Sequence, residues 1–253
     1  MPSERGLRHL RHLSLGKLQR LTDAGCTALG GLRELQSLDM AECCLVSGRE
    51  LAQALGTARG TPPPLTSLRL AYCSSLKDAS VLSMIPVLSS SLRVLDLSSC
   101  VTLTNRTMQA ICSYLTHLSV LRLAWCKELC DWGLLGLEEP NEEPALGPQS
   151  HAELKHQASD STDPSPQPQG PSLLKLQALQ ELDLTACSKL TDASLAKVTL
   201  DAITRACKQL QVLDVAMCPG INMAAIRRFQ EQLPQVTCIQ SRFVGGADLT
   251  LTL

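Results

Sequence analysis

A nine-residue pattern, Leu-x-x-Leu-x-Leu-x-x-Cys, returns along most of the chain and leaves few choices about how it can fold. It is written LQSLDMAEC (35 to 43), LTSLRLAYC (65 to 73), LRVLDLSSC (92 to 100), LSVLRLAWC (118 to 126), LQELDLTAC (179 to 187) and LQVLDVAMC (210 to 218). Degenerate outer copies, LRHLSLGKL (10 to 18) and LPQVTCIQS (233 to 241), bring the number to eight. Starts at 10, 35, 65, 92 and 118 are separated by 25, 30, 27 and 26 residues, which is room for one strand and one helix per unit.

The chemistry of one unit follows from its alternation. Along Val94-Leu95-Asp96-Leu97-Ser98, side chains point to opposite faces, so Leu95 and Leu97 are expected inside while Val94, Asp96 and Ser98 face out. The small Cys100 then closes the turn, in a column where Leu18 is the exception and Ser241 ends the array. After each turn comes Leu-Thr-Asp or a near copy, at 21 to 23, 76 to 78, 103 to 105, 129 to 131 and 190 to 192. Its Thr, Asp or Asn is expected to cap a helix by accepting from the first free backbone amides. Met108, Ile111, Cys112 and Leu115 follow at helical spacing and give that helix its buried face.

One unit cannot bury its own leucines, whereas stacking contributes roughly 1.5 to 3 kcal/mol per fully buried Leu before the entropy cost. The period is that of leucine-rich repeats. The expectation is a curved right-handed α/β leucine-rich-repeat solenoid, with parallel strands on the concave face and helices on the convex face.

Between the starts at 118 and 179 the period doubles to 61 residues, and the excess, 138 to 172, carries half of the 14 prolines. Its Pro, Ser, Gln and Glu content predicts a disordered insertion, with Ser165-Pro166 as a conceivable phosphorylation point. The chain thus divides into repeats 1 to 5 (7 to 137), the insertion (138 to 172), and repeats 6 to 8 with the C-terminal end (173 to 253). No polar cap precedes the first repeat, which suggests an isoform, a fragment or a first unit covered by another protein. At the other end, Phe243 and LTLTL (249 to 253) form a closing strand or fray.

The Cys-terminated motif followed by Leu-Thr-Asp-x-Gly-Leu resembles the cysteine-containing repeats of the F-box and leucine-rich-repeat family, best in LCDWGL (129 to 134) and LTDAGC (21 to 26). In that family the repeats hold a substrate protein while an F-box docks on the adaptor of a cullin-RING ubiquitin ligase. The resemblance therefore implies a substrate-recognition module of an SCF-type ligase. Six residues before the first repeat cannot hold a module of about 40 residues, so a form without the F-box is expected, and the alternative is a stand-alone interaction scaffold or decoy.

Composition narrows the partners. With 23 Lys plus Arg against 24 Asp plus Glu there is no broad field for nucleic acid or anionic lipid, and only 2% of residues are aromatic. No signal-peptide or membrane-spanning run occurs, which points to the cytoplasm or nucleus. Six of the twelve cysteines fall in one repeat column and read as reduced, buried thiols.

The candidate partner is a substrate protein, and the candidate surface is the concave face. The outward column between the inner leucines reads Ser14, Asp39, Arg69, Asp96, Arg122, Asp183, Asp214 and Thr237. Such charges either meet a polar partner or form a solvated face. Just before the Cys sit Tyr72 and Trp125, which are either binding anchors or rings laid over the neighbouring repeat. Trp132 reads as packing. Cys43-Cys44 and Cys126 with Cys130 lack a matching Cys/His pair for zinc, and His9, His12, His117, His151 and His156 form no nucleophile-base pattern. No catalytic residue, cofactor or metal is expected.

Overall fold

A computed structural model describes residues 7, 9–56, 61–137, 170–192, 208–244 and 247–252. Most of the 138 to 172 segment, including Ser165 and Pro166, lies outside them.

Eight short strands open the eight units: β1 His12–Ser14, β2 Ser37–Asp39, β3 Ser67–Arg69, β4 Val94–Asp96, β5 Val120–Arg122, β6 Glu181–Asp183, β7 Val212–Asp214 and β8 Thr237–Val244. They form one parallel sheet in chain order, and β9, Ala247–Thr252, closes it antiparallel to β8. Leu38, Leu68, Leu95, Leu121, Leu182 and Leu213 stand in register across it and are buried. The second inner column, from Met40 and Leu70 to Leu184 and Val215, is buried behind them. This is the α/β leucine-rich-repeat solenoid that the alternation predicts.

Helices return the chain between strands: α1 Asp23–Cys26, α2 Arg49–Leu55, α3 Asp78–Leu88, α4 Asn105–Tyr114, α5 Asp131–Leu135 and α6 Met223–Gln232. Met108, Ile111, Cys112 and Leu115 form the buried face of α4 and its end, as their spacing predicts. No helix among the described residues is long and apolar enough to cross a membrane.

The helix starts differ from expectation in how they are held. Of the Leu-Thr-Asp copies whose helices lie among the described residues, only the one at Thr104 caps its own helix, accepting from the Arg106 amide at 3.3 Å. Thr22, Lys77 and Cys130 make no such bond. The following acid or amide instead reaches the next unit. Asp23 accepts from the Ser47 and Gly48 amides at 3.1 and 3.0 Å, and Asp78 from the Thr104 amide at 3.0 Å. Asn105 accepts from the Cys130 amide, Asp131 from the Thr191 amide and Asp192 from the Asn222 amide, at 3.0, 3.0 and 2.7 Å. In a solenoid the loop of the next unit lies about one strand spacing away, so these side chains join units rather than ending helices.

The last unit corrects a second expectation. Asp214 pairs in register with Ile239, and Thr237 lies opposite Val212, so Thr237 is not in the outward column. Ser241 is likewise not at a Cys position but within β8, opposite Thr250. Leu233, read above as the first motif leucine, closes α6 by donating its amide to the Phe229 carbonyl, as Leu115 does to Ile111 in α4. Val236 then takes the place of Leu118, and the strand register shifts.

Candidate functional site

The concave column places Asp39, Arg69, Asp96, Arg122, Asp183 and Asp214 side by side, one per strand. Every aspartate in it also holds its own turn. Asp39 accepts from the Ala41 amide at 3.0 Å, Asp96 from Ser98 at 3.0 Å, Asp183 from Thr185 at 2.9 Å and Asp214 from Ala216 at 2.9 Å. A short carboxylate bonding the amide two residues on is the Asx-turn, so these residues have a local reason to be acidic beside any role toward a partner.

Charges alternate from β2 to β6, and β7 then repeats the aspartate. Arg69 lies between Asp39 and Asp96, while Arg122 donates from Nε to Glu181 Oε1 at 2.7 Å, a partner absent from the sequence-based candidates. Asp183 and Asp214 stand next to each other with no arginine between them. Burial, opposed by its bonds to Ala216 and Thr185, pushes the Asp214 carboxyl above its ordinary value.

The rim comes from a repeated backbone kink. The residue before the Cys position adopts positive φ in seven units: Lys17, Glu42, Tyr72, Ser99, Trp125, Ala186 and Met217, all between 56 and 67°. None is glycine, although this region costs a residue with a Cβ about 1 to 2 kcal/mol. The array holds six of them there, because among the described residues the amides of all but Met217 bond a carbonyl of the next unit: Tyr72 donates to the Ser98 carbonyl and Trp125 to the Thr185 carbonyl, each at 2.7 Å. The kink turns the side chain away from the core. Tyr72 is 54% exposed and Trp125 41% exposed, so a large part of each residue faces solvent. They flank Ser99, about 10 Å apart at two strand spacings.

Behind the rim the cysteines form a ladder of their own. The Sγ of Cys43, Cys73, Cys100, Cys126, Cys187 and Cys218 donates to the Leu15, Met40, Leu70, Leu97, Leu123 and Leu184 carbonyls, at 3.1 to 3.3 Å. Each carbonyl belongs to the preceding unit, so the column joins repeats as well as filling space. Burial pushes Cys73 and Cys126 up to about 12 and raises Cys100 and Cys187 further, which keeps all four thiols protonated and unreactive. Among the described residues no three His, Cys, Asp or Glu side chains gather as a metal site. Cys44 and Cys130, outside the column, donate to the Tyr72 and Glu128 carbonyls at 3.5 and 3.6 Å.

Comparison with known proteins places this geometry. The family model described as "Leucine Rich repeat" matches residues 88–112, which span the Leu92 to Cys100 motif and most of the helix after it. No curated protein matches the sequence. A chain from the crystal structure of the yeast Rad7 and Elc1 complex superposes with a TM-score of 0.60 at 16% identity, over 86% of this chain and 44% of that one. The present chain therefore spans less than half the length of that relative. The leucine-rich-repeat-containing protein LegL7 from Legionella pneumophila gives a TM-score of 0.46 at 16% identity, over 90% of this chain and 64% of the other. Motif, sheet and family match agree: the chain is a leucine-rich-repeat protein.

Proposed function

We propose that the concave face and its aromatic rim bind a substrate protein for an SCF-type cullin-RING ubiquitin ligase, and that the chain catalyses nothing itself. The observation that carries the binding half is the pair Tyr72 and Trp125, at 54% and 41% exposure on backbone held in the left-handed region. Large aromatics fixed on a rigid frame lose little freedom on docking and are enriched among residues that dominate protein interfaces. The ligase half rests on the resemblance of the repeat motif and on a like fold in a chain of the Rad7 and Elc1 complex.

The test is affinity capture of this chain from cells, with mass spectrometry for the cullin scaffold and its F-box adaptor, beside a Tyr72→Ala/Trp125→Ala variant. Recovery of both ligase components, together with a set of proteins lost from the variant, is the expected result. Other partners retained without cullin or adaptor would overturn the ligase half, and an unchanged capture profile in the variant would overturn the rim.

A further inference from the structure

Outside the concave face, a groove of about 520 Å³ opens between α2 and α3 on the helical side. Ser47, Arg49, Lys77, Ala79, Ser80 and Ser83 line it. Its charge is one-sided: two cations line it and no carboxylate does. Neither Arg49 nor Lys77 forms an ion pair among the described residues. Two carboxylates border the groove without lining it: Asp23 is held by the Ser47 and Gly48 amides, and Asp78 by Thr104 and Thr107.

Two further features aim at the same kind of guest. The Ser80 hydroxyl is 7% exposed, yet it has no hydrogen-bond partner among the described residues. A buried hydroxyl left without a partner is unfavourable, and a ligand oxygen would remove that cost. The eleven-residue helix α3 also starts here without a side-chain cap, and its first intrahelical acceptor is the Lys77 carbonyl, which bonds Ser80 and Val81. The Asp78 and Ala79 amides therefore precede the hydrogen-bonded ladder, at the end of a helix that favours an anion.

We propose that this groove binds a phosphate group, with Arg49 and Lys77 supplying charge, Ser80 a buried donor and the start of α3 its free amides. The volume exceeds that of the bare ion and leaves space for the organic part of a small phosphomonoester beside Ala52 and Ala79.

The test is titration of the ¹⁵N-labelled full chain with inorganic phosphate and, separately, with phenyl phosphate, following the amide signals of Ser47, Ala79 and Ser80. Saturable shifts centred on these residues are expected. Arg49→Gln/Lys77→Gln should weaken binding at least tenfold. Ser80→Ala should weaken it about tenfold, the loss of one hydrogen bond to a charged group, while its urea midpoint holds or rises because an unpaired hydroxyl is gone. Tighter binding of phenyl phosphate would identify an ester as the guest, and equal or weaker binding the free ion. Absence of saturable shifts, or affinities that neither variant alters, would overturn the proposal.

Discussion

Asp78, the first residue of its helix, accepts hydrogen bonds from the Thr104 amide at 3.0 Å, the Thr104 hydroxyl at 2.7 Å and the Thr107 hydroxyl at 2.6 Å, all in the following repeat. Thr107 is 1% exposed, so nothing from solvent can replace the carboxylate it bonds. Asp78→Ala is expected to destabilise the chain by about 2 to 4 kcal/mol, since it removes the shared acceptor and leaves a buried hydroxyl unpaired. Adding Thr107→Val should recover part of that loss, because the orphaned hydroxyl disappears with it. Urea denaturation of the single and double variants checks this; a double variant less stable than Asp78→Ala would refute it.

The cysteine ladder predicts a loss of stability in alkali. Burial raises the thiols of Cys73 and Cys126 from an ordinary value of 9.0 to about 12. The unfolded chain releases these protons above about pH 9 while the folded chain keeps them, so the folded state binds more protons and stability falls as pH rises through that window. Each such thiol contributes about 1.4 kcal/mol of loss per pH unit. Below pH 9 the contribution is fully present. Urea midpoints measured in reductant at about pH 8 and about pH 10.5 should show the fall, and a Cys73→Ala/Cys126→Ala variant should show a shallower one. Equal slopes in the two proteins would count against it.

The strand alternation, the buried cysteine column and the positions of the helix starts were legible in the residues, because each follows from local periodicity. The reach of Asp78 was not. An acid at a helix start looks the same whether it caps its own helix or bonds a unit 26 residues on, and only stacking decides. The kink at Tyr72 and Trp125 was also hidden, since positive φ is ordinarily announced by glycine and no glycine stands in that column. Exposure of the two rings could be argued from their place in a turn, but the backbone that aims them could not. At Leu233 two readings shared one residue, a motif leucine or a helix end, and the Phe229 carbonyl settled which.

The same kink separates binding from stability. Ser99 holds φ 60° between the two aromatic residues and carries no ring. Ser99→Gly is expected to leave stability unchanged or raise it by up to about 1 kcal/mol, as the strain removed offsets the added freedom of the unfolded chain. Trp125→Gly should behave similarly in thermal unfolding yet lose partner capture to the same extent as Trp125→Ala. A marked fall in melting temperature for Trp125→Gly would mean that the ring packs rather than binds.

Gly136 and Gly170 meet at the two ends of the Pro-rich segment, where the Gly170 amide donates to the Gly136 carbonyl at 2.9 Å. Gly136 has φ 69°, and a Cβ added there would lie 2.5 Å from the Gly170 carbonyl oxygen and 2.9 Å from its carbon. Those are backbone atoms that cannot rotate aside, so Gly136→Ala should destabilise the chain by about 1 to 3 kcal/mol from conformation and contact together. The same closeness predicts that the segment between them is dispensable for folding. A Gly-Gly link in place of residues 138 to 169 spans ends that already touch, and β5 and β6 pair in full register on either side. The shortened chain should melt within about 4 °C of the parent, the shift that corresponds to about 1 kcal/mol at this size. If the link unfolds repeats 6 to 8 while Gly136→Ala is harmless, the two ends are held by the segment itself and not by their mutual contact.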